Sequence, residues 1–386
     1  MKIVIAPDSF KGSLSAVEVA AAIAAGAREA FGDAVEIIQR PMADGGEGTL
    51  EVIASAWGMI PETMSTVDAI GRYCRARFGI SGDGRSAVIE AAEANGLPGV
   101  SDVALQPLRA DTFGVGLIAR ELLDRGVTEI LVCVGGSATT DGGTGLLGAL
   151  GVRFLDAEGT EVAAGGAGLV NIASVDASGL HARAREAVWR LAIDVDNPLC
   201  GERGAAATFG PQKGATAAEV LLLDGGLTNL AQVLHEATGV EDLAGAGTGA
   251  AGGIPVGMVS VLGAQMERGS KLVANAIGLA AAMAGATLVI TGEGSFDAQS
   301  LGGKVVDRVV AVTPSGCPVV VIAGRVGLSP EETRAAGVAA AFSIANGPSD
   351  LEFLVANADV RVRETAAQVC GLFAVGSPAH DRWPRG

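Results

Sequence analysis

One arrangement recurs along the whole chain and constrains its fold more than any other feature: a short β-branched run, a glycine-rich polar loop, then an apolar stretch at helical spacing. Strand candidates are residues 2–6, 35–40, 128–134, 189–194, 287–291, 318–323 and 340–345. Such alternation predicts parallel sheets covered by helices, an α/β fold. Helix starts are marked by the capping-box spacing at Ser15 and Glu18, Thr216 and Glu219, Ser329 and Glu332, and Ser349 and Glu352. There a hydroxyl accepts from a free amide while the glutamate reaches back. Gly32, Gly126, Gly239, Gly285 and Gly337 read as helix exits.

A second texture lies between about residues 66 and 99 and again near 152–159. Short alternating stretches, residues 75–80, 85–90 and 152–156, are separated there by Gly-Asp-Gly or Ala-Glu-Gly turns and read as antiparallel hairpins. Two textures in 386 residues predict two domains. Residues 1–62 and 286–376 are expected to form one doubly wound parallel sheet, with a mixed α/β domain, 63–285, inserted, and 377–386 a frayed tail.

In an open parallel sheet, ligands bind beyond the carboxyl ends of the strands, so the residues after each strand carry the functional signal. After the first strand come Asp8, Ser9 and Lys11, running into a capped helix start that suits an anion. After the second come Asp44, Gly45, Gly46 and Glu47, two carboxylates in a glycine loop open to a ligand or a hydrated Mg²⁺. Gly135, Gly136, Ser137, Thr139 and Asp141 form a loop whose hydroxyls and amides can cradle phosphates. A third Asp-Gly-Gly, at Asp224, sits inside a helical apolar pattern and is set aside.

Asp194, Asp196 and Asn197 end another strand. Two carboxylates on one face of a strand repel unless a cation or proton lies between them, which points to a metal or base role. Lys213 in Phe209-Gly-Pro-Gln-Lys213-Gly214 offers a further cation, and Glu293, Asp297 and Lys304 repeat the theme one strand later. Gly249, Gly252 and Gly253 belong to a glycine-rich ligand loop. Its G-x-G-x-x-G match lacks a preceding strand, which argues against a dinucleotide site.

Composition narrows the classes. The net charge of −16 and the absence of basic runs exclude a phosphate-tracking nucleic-acid surface or a polybasic membrane patch. Mean hydropathy is +0.41, yet the uncharged stretch 243–266 holds seven glycines and Pro255, and 272–292 reads as a helix then a strand, so neither is a membrane span. Five unpaired cysteines and no signal-peptide pattern predict a cytoplasmic protein. Three scattered histidines exclude histidine-based zinc and hydride chemistry, and no Walker A or G-x-S-x-G motif occurs. What remains is glycine, carboxylate and isolated lysine, the inventory that phosphoryl transfer needs.

Seven segments in order, Ala6-Pro-Asp-Ser-Phe-Lys-Gly-Ser-Leu-Ser15, Pro41-Met-Ala-Asp-Gly-Gly-Glu-Gly-Thr49, Gly135 to Thr139 with Asp141-Gly-Gly143, Asp194-Val-Asp-Asn-Pro-Leu199, Phe209 to Gly214, Gly247-Thr-Gly-Ala-Ala-Gly-Gly253, and Gly292-Glu-Gly294 with Asp297, Gln299, Gly303 and Lys304, closely resemble the bacterial glycerate kinases of the first type. The resemblance implies ATP-dependent phosphorylation of D-glycerate with Mg²⁺, at the 2-hydroxyl, in a cleft between a Rossmann-like domain and the inserted one. Thr140 departs from the pattern, standing where an amide residue is expected, and Gly225-Gly226 loosens a helix without evident reason.

On this reading Lys11, Lys213 and Lys304 neutralise phosphate and the glycerate carboxylate, aided by Asp8, Ser9, Asn197, Glu293 and Asp297. Asp44, Glu47 and Asp141 bear on Mg²⁺; Gly135, Gly136, Ser137, Thr139, Gly249, Gly252 and Gly253 meet ATP; Asp194 or Asp196 takes the hydroxyl proton. The chain is expected as a monomer or homodimer without nucleic-acid or membrane partners. Its rivals are a 3-phosphoglycerate-forming kinase, a non-catalytic organic-acid sensor and a nicotinamide-dependent oxidoreductase.

Overall fold

The computed structural model describes residues 1–32 and 35–375. The expected tail lies outside the described residues. Thirteen strands are described, in chain order β1 (Lys2–Ile5), β2 (Glu36–Gln39), β3 (Glu62–Val67), β4 (Tyr73–Ile80), β5 (Ser86–Glu90), β6 (Glu129–Cys133), β7 (Arg153–Leu155), β8 (Ser174–Asp176), β9 (Val188–Ile193), β10 (Gln265–Arg268), β11 (Leu288–Phe296), β12 (Val319–Val326) and β13 (Ala340–Ser343). They fall into two units, one made of Met1–Asp44 and the chain from Ser270 onward, the other of Gly45–Gly269.

The first unit is a five-stranded parallel sheet in the order β13-β12-β11-β1-β2. Its inner strands β1, β11 and β12 are buried on both faces over most of their length, which is why they read as continuous Val/Ile runs, while the edge strands β2 and β13 are only partly buried. One face carries the helices Ala16–Phe31 and Ala358–Val375, whose Val19, Ile23, Ala24, Val362, Ala366 and Val369 close over Ile3, Ile5, Ile290 and Ile322. The other face packs Phe296, Val306, Val321 and Val338. Burying each large aliphatic side chain contributes about 1.5–3 kcal/mol. Because every pair is parallel, the loops after β1, β2, β11, β12 and β13 all leave from one edge of this sheet.

The second unit holds a six-stranded mixed sheet, β10-β9-β6-β5-β4-β3. Strands β5, β6, β9 and β10 run parallel, while β3–β4 and β4–β5 are antiparallel. A separate two-stranded antiparallel sheet pairs β7 with β8, while across the predicted Ala-Glu-Gly turn there is a single bridge, Leu155 to Glu161. Trp189, Phe78, Ile89, Ile118 and Leu122 anchor its core.

Three of the four predicted capping boxes form, at Ser15, Thr216 and Ser329. At the fourth, Asp350 rather than Ser349 caps the helix Leu351–Ala356, accepting from the Phe353 amide. The five predicted exits hold φ between +63° and +91°. The units divide at 44/45 and 269/270 rather than at 62/63 and 285/286. Glu90 explains the first shift: its carboxylate accepts from the Gly48 and Leu50 amides at 3.3 and 3.1 Å and ties the helix Thr49–Trp57 to the second unit. The second follows from Ser270, which donates to Gly303 O at 2.6 Å within the first unit.

The helix expected over 272–285 breaks at Gly278, and β10 was not anticipated. Gly226 gains a reason, since a Cβ there would stand 2.9 Å from the Leu169 Cβ where the helix Ala217–Thr238 meets the 3-10 turn Gly166–Asn171. Among the described residues no helix is long and apolar enough to cross a membrane.

Candidate active site

In the first unit, β1 and β11 deliver their carboxyl-terminal residues to the same sheet edge. The Asp8 amide donates to Gly292 O at 2.8 Å, and Ser9 N to the Asp8 carboxylate at 2.7 Å. Gly292 is required by packing, because a Cβ would lie 2.1 Å from Ile322 O on the neighbouring strand. Asp8 is pushed up to about 7, foremost by burial, then by the negative charge of Asp44, while the Ser9 amide opposes the rise; Glu293 adds to it and Lys11 lowers it. Glu293 lies inside β11, which runs five residues past the expected end at Thr291. It too rises to about 7, again through burial, with the Ser300 hydroxyl and Lys304 opposing and Asp297 and Asp44 reinforcing. Its Oε1 is buried with no hydrogen-bond partner.

Asp8, Lys11, Asp44, Glu293, Asp297 and Lys304 thus form one electrostatic cluster. Within it Asp297 acts locally, since its carboxylate accepts from Ser295 Oγ and Gln299 N, both at 3.0 Å, and caps the turn Ala298–Leu301. Lys304 is the residue from which the helix Val305–Val312 departs.

In the second unit the loop after β6 is pinned from several directions. The Ala138 amide donates to Asn95 O at 2.8 Å, Leu97 N to Gly136 O at 2.9 Å, and Asn95 Nδ2 to Thr139 Oγ1 at 3.2 Å. Lys213 Nζ donates to Thr139 O at 2.5 Å and Ser137 Oγ at 3.1 Å. Gly252 joins this loop through its carbonyl, which accepts from Gly142 N at 3.0 Å, and Gly253 packs beside Gly142. Gly249 turns back on Asn197, whose carbonyl accepts from the Gly249 amide and whose side chain donates to Arg203 O and Thr208 Oγ1. The Thr140 hydroxyl, where the sequence departs from its resemblance, is buried and unpartnered.

Three expectations change in this light. Asp141 is fully buried, and its carboxylate accepts from Thr112 N (2.9 Å), Thr112 Oγ1 (2.7 Å), Gly145 N (3.1 Å) and Gly143 N (3.2 Å). Four donors occupy the lone pairs that a metal would use, so the geometry makes Asp141 a structural anchor for the helix Thr144–Ala149. Asp194 and Asp196 do not share a strand face, because β9 stops at Ile193. Asp196 instead receives a bidentate contact from Arg268 at 2.7 and 2.8 Å, on the exposed side of the loop. Lys213, expected to meet a ligand's charge, is only 3 % exposed.

Sequence reasoning missed Glu90, Thr112, Asn95 and Asp111. Glu90 is raised to about 7 and Asp111 to about 6, both chiefly by burial. Glu90, Thr112 and Asn95 each act on a loop far away in sequence, so no local motif marks them.

Among the described residues, no three His, Cys, Asp or Glu side chains form a group able to hold a metal alone. Mg²⁺ keeps most of its waters and is held through one or two carboxylates and the phosphates it accompanies, so it does not require such a group. Asp44, whose charge raises both Asp8 and Glu293, is a carboxylate of the first unit that could hold it. Glu47 lies exposed in the second.

Residues 3–374 match the glycerate kinase family. The chain is 40% identical over 377 residues to the glycerate 2-kinase of Escherichia coli strain K12, covering 97% of this chain and 99% of that protein. It is 42% identical over 371 residues to the glycerate kinase of Bacillus subtilis strain 168, covering 96% and 97%. A crystal structure of a Salmonella typhimurium LT2 protein provisionally assigned as glycerate kinase 2 superimposes with a TM-score of 0.88 at 43% identity, over 97% of this chain and 99% of the other. With matches spanning nearly its whole length, the chain belongs to the glycerate kinase family, a family of phosphotransferases.

Proposed function

We propose that this chain transfers the γ-phosphoryl group of ATP to the 2-hydroxyl of D-glycerate. The observation that carries this reading is the cluster at the edge of the first sheet, where two half-buried carboxyls, Asp8 and Glu293, are pushed up to about 7 in the field of Lys11 and Lys304. A carboxyl held at about 7 is poised to accept a proton at working pH, while lysines beside it suit an anionic acceptor. The glycerate 2-kinase name of the Escherichia coli relative supports the 2-hydroxyl.

In this assignment Lys11 and Lys304 bind the glycerate carboxylate, with Ser9 and Glu293 orienting its hydroxyls. Asp8 takes the proton as the 2-hydroxyl oxygen bonds to phosphorus and the bridging oxygen leaves with ADP. We place Asp8 ahead of Asp194 and Asp196 in this role: Asp196 is paired with Arg268, and Asp194 lies on the same exposed loop beyond the end of β9. The loops at 135–139 and 249–253 receive the nucleotide through backbone amides and the Ser137 and Thr139 side chains. Mg²⁺, when bound, neutralises the phosphate oxygens, and Asp44 is the residue that would hold it.

Phosphorus NMR of the product from D-glycerate and ATP tests activity and regiochemistry together. A 2-phosphoglycerate resonance with ADP is expected; 3-phosphoglycerate would overturn the regiochemistry, and binding of glycerate without ATP consumption would favour the sensor.

A further inference from the structure

We infer that Lys213 is a positioning residue, a buried ammonium that fixes the loop at 135–139 in shape before any ligand arrives, and not a contact to phosphate or glycerate. The inference rests on the proposal that this loop takes the nucleotide. Its first support is access. At 3 % exposure, Lys213 has its Nζ directed at Thr139 O and Ser137 Oγ, the two groups that bracket Ala138.

The second support is what those two bonds complete. Asn95 and Leu97 hold the loop from the β5 side through Ala138, Thr139 and Gly136. Lys213 supplies a further restraint from the other side, from a turn, Pro211–Lys213, with Lys213 74 residues further along the chain than Thr139.

The third is cost. Burial pulls Lys213 down to about 7 against the favourable charge of Asp141. A buried ammonium is unfavourable unless its donors are used, and an apolar side chain would fill the same space more cheaply. Directed bonds to a glycine-rich loop, which otherwise has wide conformational freedom, are what the ammonium adds.

The test uses the full chain and the variants Lys213→Met and Ser137→Ala, the latter losing one of the two bonds. Amide hydrogen exchange across 135–141 is measured without nucleotide, beside steady-state kinetics. Lys213→Met should speed exchange in that loop at least tenfold while the β9 peptide around Trp189 stays protected. In Lys213→Met KM for ATP should rise tenfold or more and KM for D-glycerate change less than twofold; Ser137→Ala, whose side chain is also assigned to the nucleotide, is read by exchange alone and should be intermediate there. Unchanged exchange alongside a lost ATP affinity would make Lys213 a direct ligand and overturn the inference, as would a defect confined to D-glycerate. If Lys213→Met fails to fold, unchanged exchange in Ser137→Ala overturns it alone. Failure of the wild type to use ATP would refute the proposed function instead, and the exchange comparison would still decide the role of Lys213.

Discussion

Replacing Asp141 by Asn separates an anchoring carboxylate from a metal-binding one. The variant keeps one carbonyl oxygen, which can still face the three donors now on Oδ2, namely Thr112 N, Thr112 Oγ1 and Gly145 N. Its NH₂ then meets the Gly143 amide, donor against donor at a site 3.2 Å away. Hydrogen bonds to a charged group contribute about 1.5–3 kcal/mol each, and a buried donor left unsatisfied costs about 1–3 kcal/mol. Loss of one bond, weakening of three and removal of the charge that supports Lys213 sum to about 3–5 kcal/mol. With a urea m-value of about 3 kcal/mol/M, the midpoint of the second unit should fall by more than about 1 M. Tryptophan fluorescence reads it, since Trp189 lies in that core. Thr112→Val, which also deprives the Leu146 amide of its acceptor, should show a smaller loss in the same direction. A wild-type midpoint in Asp141→Asn, with only the Mg²⁺ response of turnover lost, would refute the reasoning.

Asp8→Asn should lower turnover by about 10²–10⁴-fold without loss of folding, and a drop on the order of tenfold would remove Asp8 from the base role. In the wild type, kcat/KM should fall as pH drops through about 7; an unchanged pH profile in a still-active Asp8→Asn would contradict the assignment. Stability of the ligand-free first unit should move the other way. Asp8 and Glu293 bind protons more tightly folded than unfolded, so their contribution is complete below about pH 4 and lost as pH rises through about 7, roughly 4 kcal/mol for Asp8 alone. Thermal unfolding at pH 5 and pH 8 checks the sign, and Asp8→Asn should flatten the difference. Gly292→Ala should destabilise that unit by about 3 kcal/mol or more, because the new methyl meets backbone; a wild-type melting temperature would mean β11 and β12 can part at little cost.

The strand-end loops were legible because their chemistry is local: a glycine, an acid and a lysine within a few residues of a β-branched run. The two kinds of sheet were legible for a similar reason, since hairpin turns and capping boxes are short-range signals. What the sequence hid is long-range. Asp141 looked like a ligand until Thr112, 29 residues earlier, occupied it, and Asp196 looked like a base until Arg268, 72 residues later, paired with it. Lys213 sits in a polar Pro-Gln-Lys-Gly turn that reads as surface, and only the returning chain buries it. Glu90 ends a strand as any acid could, yet the amides it holds belong to a helix start 40 residues upstream. At the fourth predicted helix start the cap is not Ser349 but its neighbour Asp350, whose carboxylate accepts from the Phe353 amide and sets the boundary one residue later.

The order β13-β12-β11-β1-β2 has a consequence for how the chain is made. Strand β1 emerges first, yet one of its two neighbours, β11, lies 285 residues later by register. Until then β1 and β2 are a two-stranded fragment, which is marginal in water. The second unit, by contrast, is one continuous stretch and can close as it leaves the ribosome. At about 5–20 residues per second, the N-terminal segment waits on the order of 15–55 s for its partner strands. The apolar run Ile3-Val4-Ile5 therefore needs shielding through most of synthesis.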